Sequence, residues 1–139
     1  MPVTLSKEQV RKLVLHSQKL PPAAASGTAL SATLAAIQHL SYIQIDTISV
    51  IQRAHHHTLW NRNPRYQLSH LDQLLDQKQI FEYWSHAAAY LPMQDYRFSL
   101  FRKNAMASGE QKHWYDRDDK MMRYVLDRIT AEGPLMAKD

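Results

Sequence analysis

Two polar side chains that could act together in hydrolysis, Gln44 and Asp46, lie two positions apart and alternate with a pair of isoleucines. Because residues i and i+2 of a strand share a face, the amide and the carboxylate are predicted to point the same way, and Ile43 and Ile45 toward the core. Such a pair can hold one water molecule, which the amide orients while the carboxylate accepts its proton or stabilises a nearby cation. Spacing alone favours a simpler alternative, in which Asp46 caps a helix starting at Thr47 and Gln44 is solvated.

Basic and aromatic residues follow this pair, and together they suit contact with a polyanion such as DNA. The formal net charge is +4, and through residue 60 the chain carries only two acids, Glu8 and Asp46, against five Lys or Arg. Charge alone fits a mildly basic surface at least as well. The candidate DNA contacts are Arg53, His55, His56, His57, Arg62, Arg65 and His86.

The histidines do not have the spacing of a metal site. A helical zinc pair needs histidines at i and i+4, whereas three adjacent histidines at 55–57 point in three directions. His70, His86 and His113 lie at no recognisable ligand spacing. We therefore expect no metal and no cofactor. One histidine of the triplet is expected in the core, and the others at a polar groove or a phosphate. With no cysteine in the chain, disulfides and thiolate zinc sites are excluded, which fits a reducing cytoplasm.

The hydrophobic periodicity predicts helices and short strands in a regular order. The first expected helix starts at about residue 5, is capped by Ser6 and is ended by Pro21 and Pro22, and the second covers 31–40 and is capped by Thr28 or Ser31. A strand over 43–46 is then expected to pass into a helix near Thr47, with Ile48, Ile51 and Ala54 on the apolar stripe of that helix. The remaining expected elements are a short helix over 69–77, two strands around Ser85 and His86, and helices over 96–107 and 118–130. Trp60 and Trp84 are expected more often in the core than on the surface.

This order predicts a mainly α fold with short β-strands, in which a winged helix-turn-helix domain is followed by linking helices. We expect a first domain at residues 1–96, which carries the Gln-x-Asp pair, and a helical segment at 97–139. The last residues, EGPLMAKD, stop one helix and open another. We interpret this as truncation from a longer tandem winged-helix protein, at the start of the next winged helix; a disordered tail is an equal alternative.

The segments YIQIDTISVIQRAHHHTLWNRNPRY and FEYWSHAAAYLPMQDY carry a resemblance to a known family. They combine Gln-apolar-Asp, Arg-Ala-His-His and Glu-Tyr-Trp-Ser-His-Ala in one order and spacing. The chain resembles the bacterial YcaQ/AlkZ-like winged-helix DNA glycosylases from about Leu5 to Asp139, most specifically over Tyr42–Tyr96. Full members of that family are much longer, so we expect the chain to correspond to their N-terminal part.

The resemblance implies tandem winged helices wrapped around DNA, excision of alkylated purines, chiefly N7-alkylguanine, and unhooking of interstrand crosslinks. It places Gln44 and Asp46 on the family's catalytic motif. Asp46 would stabilise the sugar cation and accept a proton from a water that Gln44 orients. Since a crosslinked base cannot swing out fully, we expect this strand to lie on a concave, DNA-facing surface without a deep base pocket.

Two other functions fit the same pattern. One is a non-catalytic winged-helix DNA-binding protein such as a transcriptional regulator, although its groove-reading helix over 69–77 carries Asp72 and Asp76 and no Arg. The other is a protein-interaction domain, whose exposed C-terminal helices would also allow self-association. The expected partner is double-stranded DNA with alkylated or crosslinked purines. No membrane span is predicted, and the expected location is the bacterial cytoplasm, at the nucleoid when acting.

Overall fold

The computed structural model describes residues 4–20, 27–112, 116 and 118–135. Pro21 and Pro22, His113 and the final segment 136–139, which figure in the sequence predictions, lie outside the described residues. The elements are α1 (Lys7–Ser17), α2 (Ala29–Leu40), β1 (Ile43–Gln44), α3 (Ala54–Trp60), α4 (Ser69–Asp76), β2 (Ile80–Trp84), β3 (Ala88–Pro92), a 3₁₀ turn (Met93–Asp95), α5 (Tyr96–Ser108) and α6 (Asp119–Glu132).

The first two helices begin at the caps that the sequence indicates. Ser6 caps α1 in a capping box, in which its hydroxyl accepts from the Gln9 N–H and the Gln9 side chain accepts from the Ser6 N–H. Thr28 caps α2 by accepting from the Ser31 N–H, so the first of the two proposed cap residues is the one used. α1 has no buried residue, whereas α2 buries one face in the core.

The three strands form one antiparallel sheet in the order β1-β3-β2. β2 and β3 form the predicted hairpin, with Phe81 opposite Leu91 and Tyr83 opposite Ala89. β1 is only two residues long and pairs with the other edge of β3, where Gln44 lies opposite Ala89. A mainly helical chain with a small antiparallel sheet confirms the predicted fold class and is consistent with a winged-helix arrangement.

The chain divides into two compact units, Met1–Leu100 and Phe101–Asp139. The core of the first unit lies between α2, α3, α4 and the sheet, and its apolar members are Ala36, Ile37, Ile43, Leu59, Tyr66, Leu71, Leu74 and Ile80. In the second unit, α6 exposes an apolar stripe made of Met121, Met122, Val125, Leu126 and Ile129. Within the described parts of the chain, no helix has the length and apolar character needed to cross a bilayer.

A buried polar network ties α2 to the start of α4. The Asn63 side-chain amide donates to the Thr33 hydroxyl and to the Ala29 carbonyl, both at 2.9 Å, and its oxygen accepts from the Arg65 N–H at 3.1 Å. The Thr33 hydroxyl also lies 2.9 Å from His70 Nδ1. Thr33 and Asn63 are completely buried, so each polar atom depends on these partners.

Two sequence predictions about packing are wrong. The helix expected from Thr47 begins only at Ala54, and residues 45–48 have no regular structure. The Ile48–Ile51–Ala54 stripe therefore does not face a core, and Ile48 and Ile51 are 73% and 88% exposed. Trp84, expected in the core, is 67% exposed because it ends β2 next to the hairpin turn, beyond the buried Ile80 and Phe81.

Candidate active site

Gln44 and Asp46 lie at the point where β1 leaves the sheet. The Ile45 N–H donates to the Ala88 carbonyl at 2.8 Å, so extended pairing continues one residue past Gln44. Ile43 is buried and Ile45 is half-buried, whereas Gln44 is exposed and Asp46 is half-buried. The polar side chains of this segment are thus more accessible than the apolar ones on average, as strand alternation requires.

The Asp46 carboxylate does not cap a helix. Its Oδ1 accepts from the Ile48 N–H at 2.8 Å and so closes a turn of the Asx type. No other hydrogen bond and no ion pair of this carboxylate is found within the described residues, and the Gln44 amide is likewise unengaged there. Both groups are therefore available to a water molecule or a ligand.

His55 lies directly behind Asp46. Its Nδ1 accepts from the Asp46 N–H at 3.2 Å, and only 4% of the residue is exposed. Burial, and then the nearby charges of His56 and Arg53, lower the pKa of His55 to about 4, although Asp46 opposes the shift. A neutral imidazole with a bare Nδ1 is what this hydrogen bond needs. His55 is the histidine of the triplet that packs in the core, and its contact with DNA stays a prediction.

His56, on α3, belongs to a cluster of aromatic rings that meet in tilted and edge contacts. Its Nδ1 lies 2.7 Å from the Tyr66 hydroxyl, and its ring centroid is 4.1 Å from that of His55. Burial is the main cause that lowers the pKa of His56 and raises the pKa of Tyr66, so we assign the proton to the phenol, which donates to the imidazole. Trp60 and His70 extend the cluster through edge contacts with Tyr66. These contacts make α3 a fixed platform behind Asp46.

An open depression of about 320 Å³ lies beside Asp46. His57 lines it together with the exposed side chains of Ile48, Val50 and Ile51. Since much of its wall consists of side chains that are themselves solvent-exposed, it is a surface hollow and not a deep base pocket.

Arg53 and His57 present polar groups at this surface. The Arg53 guanidinium is exposed and, within the described residues, makes neither a hydrogen bond nor an ion pair. His57 is exposed, and its Nε2 lies 3.2 Å from the Gln52 carbonyl. Arg53 closes the loop that follows Asp46 by bridging to Ser49, and His57 lines the hollow beside Asp46.

Arg62 and Arg65, two further predicted DNA contacts, hold the chain together. Arg62 donates to the Thr58 carbonyl at 3.0 Å and to the Gln18 side chain at 3.4 Å, which links α3 to the end of α1. Arg65 donates to the Gly27 carbonyl at 2.9 Å. Their contact with DNA stays a prediction, and both guanidinium groups already have partners in the protein.

His86, in the β2–β3 turn, meets a residue that sequence reasoning missed. Its ring stacks on Tyr42 with centroids 5.1 Å apart, and its Nε2 lies 3.2 Å from the Tyr42 hydroxyl. Tyr42 precedes Gln44 by two positions, the spacing that puts two side chains on one strand face. That spacing is the signal that would have placed Tyr42 in the site. His86 and Tyr42 are also accessible, being exposed and half-buried respectively.

Metal binding finds no geometric support where the chain is described: no group of three or more His, Cys, Asp or Glu side chains is arranged to hold an ion. What the arrangement offers is a carboxylate and an amide at the edge of a sheet, with a cationic side chain near by. Such groups suit the stabilisation of a cation and the orientation of water.

Comparison with protein families identifies a match for most of the chain. The model of the family described as DNA glycosylase AlkZ-like matches residues 37–139, which include β1, the loop after it and the histidine triplet. No solved structure matches the chain.

Proposed function

The chain belongs to the AlkZ-like DNA glycosylase family, a family of DNA repair hydrolases that act on DNA, and from this premise we propose a specific reaction. The proposed reaction is hydrolysis of the N-glycosidic bond of N7-alkylguanine, including guanine tied to the opposite strand by a crosslink. Asp46 and Gln44 are the proposed catalytic residues. The observation that carries the proposal is the Asp46 carboxylate, which is held by its own loop yet left without a protein counter-ion where the chain is described.

The chemistry requires little acid catalysis. Alkylation at N7 leaves a positive charge on the guanine, so the base departs with the electron pair of the C1′–N9 bond and becomes neutral. The sugar is left as a cation at C1′. A water oxygen then bonds to C1′, and its proton passes to the Asp46 carboxylate. The overall change is addition of one water molecule, with no cofactor in the balance.

Each of the two side chains has a defined part in this scheme. Asp46 supplies negative charge beside the developing sugar cation, and its position is fixed by the Ile48 N–H and by His55 behind its backbone. Gln44 donates and accepts hydrogen bonds that orient the attacking water. A preorganised electrostatic contact of this kind typically lowers the barrier by about 2.7–4 kcal/mol. Exclusion of water by bound DNA would strengthen it.

Unhooking of a crosslink is supported by the shape of the surface. A base that is covalently tied to the other strand cannot enter a deep pocket. The hollow beside Asp46 is open, and it leaves room for a sugar that approaches while its base remains in the duplex. A non-catalytic DNA reader is less favoured, because α4 exposes Asp72 and Asp76 and contains no Lys or Arg.

The decisive experiment measures release of 7-methylguanine from methylated duplex DNA by the chain and by Asp46→Asn. Asparagine retains an Oδ1 that can accept from the Ile48 N–H, so the loop should persist while the charge is lost. We expect release to fall by about 100-fold or more, with DNA affinity changed less than about twofold. Gln44→Ala should lower release as well, and strand separation of a crosslinked duplex should fall in parallel.

The matched controls are Asp72→Asn and Gln77→Ala. Asp72 is an exposed acid of α4, and Gln77 is the exposed amide residue that follows the end of this helix. Both should release 7-methylguanine at the unchanged rate. Normal release by Asp46→Asn would contradict the catalytic assignment. A wild-type chain that releases no base above the spontaneous rate would contradict the proposed activity of this chain.

A further inference from the structure

Among the described residues of the first unit, the loop over residues 47–52 carries the most exposed aliphatic side chains. Ile48, Val50 and Ile51 are 73%, 92% and 88% exposed. Isolated apolar residues are common on surfaces, but three within four positions form a contiguous patch that favours contact with a partner. The patch borders the hollow beside Asp46 and is continuous with the proposed catalytic surface.

This loop is held in shape by its own contacts. Asp46 Oδ1 accepts from the Ile48 N–H at one end. A backbone bridge joins Ser49 to Arg53, and the Arg53 N–H donates to the Gln52 side chain at 3.1 Å. His57 contacts the Gln52 carbonyl. The ends are thus tied together, and the apolar side chains form a preorganised tip.

The charges around the loop favour a polyanion as its partner. From Thr47 to Leu71 the sequence contains no Asp or Glu, and Arg53 stands at the end of the loop with its guanidinium unpaired where the chain is described. Asp46 is the single acid at the patch. An apolar tip with a cation beside it matches a DNA groove, whose floor of base edges and sugars is less polar than the phosphates along its rims.

We infer that residues 47–52 form an apolar wedge that enters the minor groove of duplex DNA beside the nucleotide under attack and loosens the base stack there. This inference rests on the proposed function. The wedge carries Asp46 at its base, so its entry brings the carboxylate toward C1′, which the minor groove exposes. Arg53 meets a phosphate on the groove's rim. A base tethered to the opposite strand can be displaced by such a wedge without leaving the helix.

The test compares the wild-type chain with Val50→Asn/Ile51→Asn, using a duplex with 2-aminopurine next to a 2′-fluorinated 7-methylguanine nucleotide that resists hydrolysis. Binding of the wild-type chain should raise 2-aminopurine fluorescence, because this base brightens when it unstacks. The double variant should lose that rise and bind about 10-fold to 100-fold more weakly. Leu13→Gln/Val14→Gln, which changes two exposed aliphatic residues of α1, is the matched control and should behave as wild type.

Salt dependence separates the wedge from phosphate contacts. The double variant should lose the same factor in affinity at every salt concentration, because apolar contact releases no counter-ions. Arg53→Gln should instead reduce the slope of log K against log salt by about one. Circular dichroism of the double variant should match wild type, since both side chains are exposed.

The outcomes distinguish this inference from the proposed function. If Asp46→Asn abolishes base release while the double variant keeps both affinity and fluorescence rise, the wedge is wrong and the chemistry stands. If no variant changes release but the double variant loses the fluorescence rise, the chemistry is wrong and the wedge stands. Loss of self-association, or of binding to phosphatidylglycerol vesicles, with DNA binding unchanged would overturn the wedge in favour of a second copy or a lipid surface.

Discussion

Acidification should destabilise the folded chain through His55, and the size of the effect follows from the shift in pKa. The side chain is buried and its pKa falls from 6.5 to about 4, mainly because burial disfavours the charged ring. Between about pH 6.5 and pH 4, the unfolded chain therefore binds a proton at His55 that the folded chain does not bind. The stability that His55 contributes is complete above about pH 6.5 and is lost as the pH falls toward 4.

The shift sets an upper limit on the energy. At about 1.4 kcal/mol for each unit of pKa, a fall in pH from 7.5 to 5.0 lowers the free energy of unfolding by about 2 kcal/mol at most. The His55 ring packs at a tilt against His56, which is only half-buried, so nearby solvent should reduce the loss to about 1–2 kcal/mol. His56 and His70, whose pKa values burial also lowers, add in the same direction.

The perturbation that isolates His55 is His55→Asn. An asparagine oxygen can replace Nδ1 as the acceptor for the Asp46 N–H but does not titrate. Urea unfolding at pH 7.5 and 5.0 should show a pH-dependent loss that is smaller in the variant by about 1–2 kcal/mol. Nuclear magnetic resonance of the His55 ring protons should give a midpoint below about pH 5. An equal loss in both proteins, or a midpoint near 6.5, would refute the reasoning.

Three further predictions concern stability, each measured by urea unfolding at pH 7.5. Asn63→Ala should cost about 2–4 kcal/mol because it removes the amide N–H groups that donate to the buried Ala29 carbonyl and Thr33 hydroxyl. Asn61→Ala on the surface should change stability by less than about 0.5 kcal/mol, and equal effects of the two substitutions would contradict the role of the network. Lys78→Gly should stabilise the fold by about 0.5–1 kcal/mol because Lys78 has a φ of 54°, which glycine adopts without steric cost. Gln77→Gly, at a φ of −76°, should not stabilise it, and a loss of stability in Lys78→Gly would contradict this reasoning. Trp84→Ala should cost less than about 1 kcal/mol, unlike Leu74→Ala at about 2–5, and a large cost at 84 would show that Trp84 is packed.

Periodicity and cap chemistry were enough to predict most of the regular elements. The Ser6 and Thr28 caps and the two strands around Ser85 and His86 follow from local side-chain chemistry, which a short window of sequence contains. The short helix with Leu71 and Leu74 on its buried face follows from its 3.6-residue period. These features need no information from distant parts of the chain.

The segment after Asp46 has apolar residues at helical spacing but forms no helix before Ala54. Thr47, Ile48, Val50 and Ile51 are β-branched and disfavour a helix, and the Asp46 carboxylate offers the Ile48 N–H a competing partner. The apolar spacing predicts a buried stripe. The structure instead exposes these side chains, which periodicity alone cannot distinguish from burial.

The candidate site was only partly predictable for a related reason. Gln44 and Asp46 could be selected from their spacing, and His55 could be expected in the core only as one unspecified member of its triplet. The bonds of His55 to the Asp46 backbone, and of His86 to Tyr42, join residues 9 and 44 positions apart. Such pairings depend on how the sheet meets α3 and on the hairpin turn, which local patterns do not encode.

The closed ends of the 47–52 loop have a consequence for how the protein can change over evolutionary time. Because Ser49 bridges to Arg53 and the apolar side chains of the tip are exposed, residues can be inserted or exchanged there with little disturbance to the sheet or to α3. Doubling the length of a flexible loop costs only about 0.6 kcal/mol in closure entropy. The reach and shape of the tip are therefore free to diversify while the scaffold stays constant, and grafting of a longer tip offers a route to enzymes for bulkier lesions.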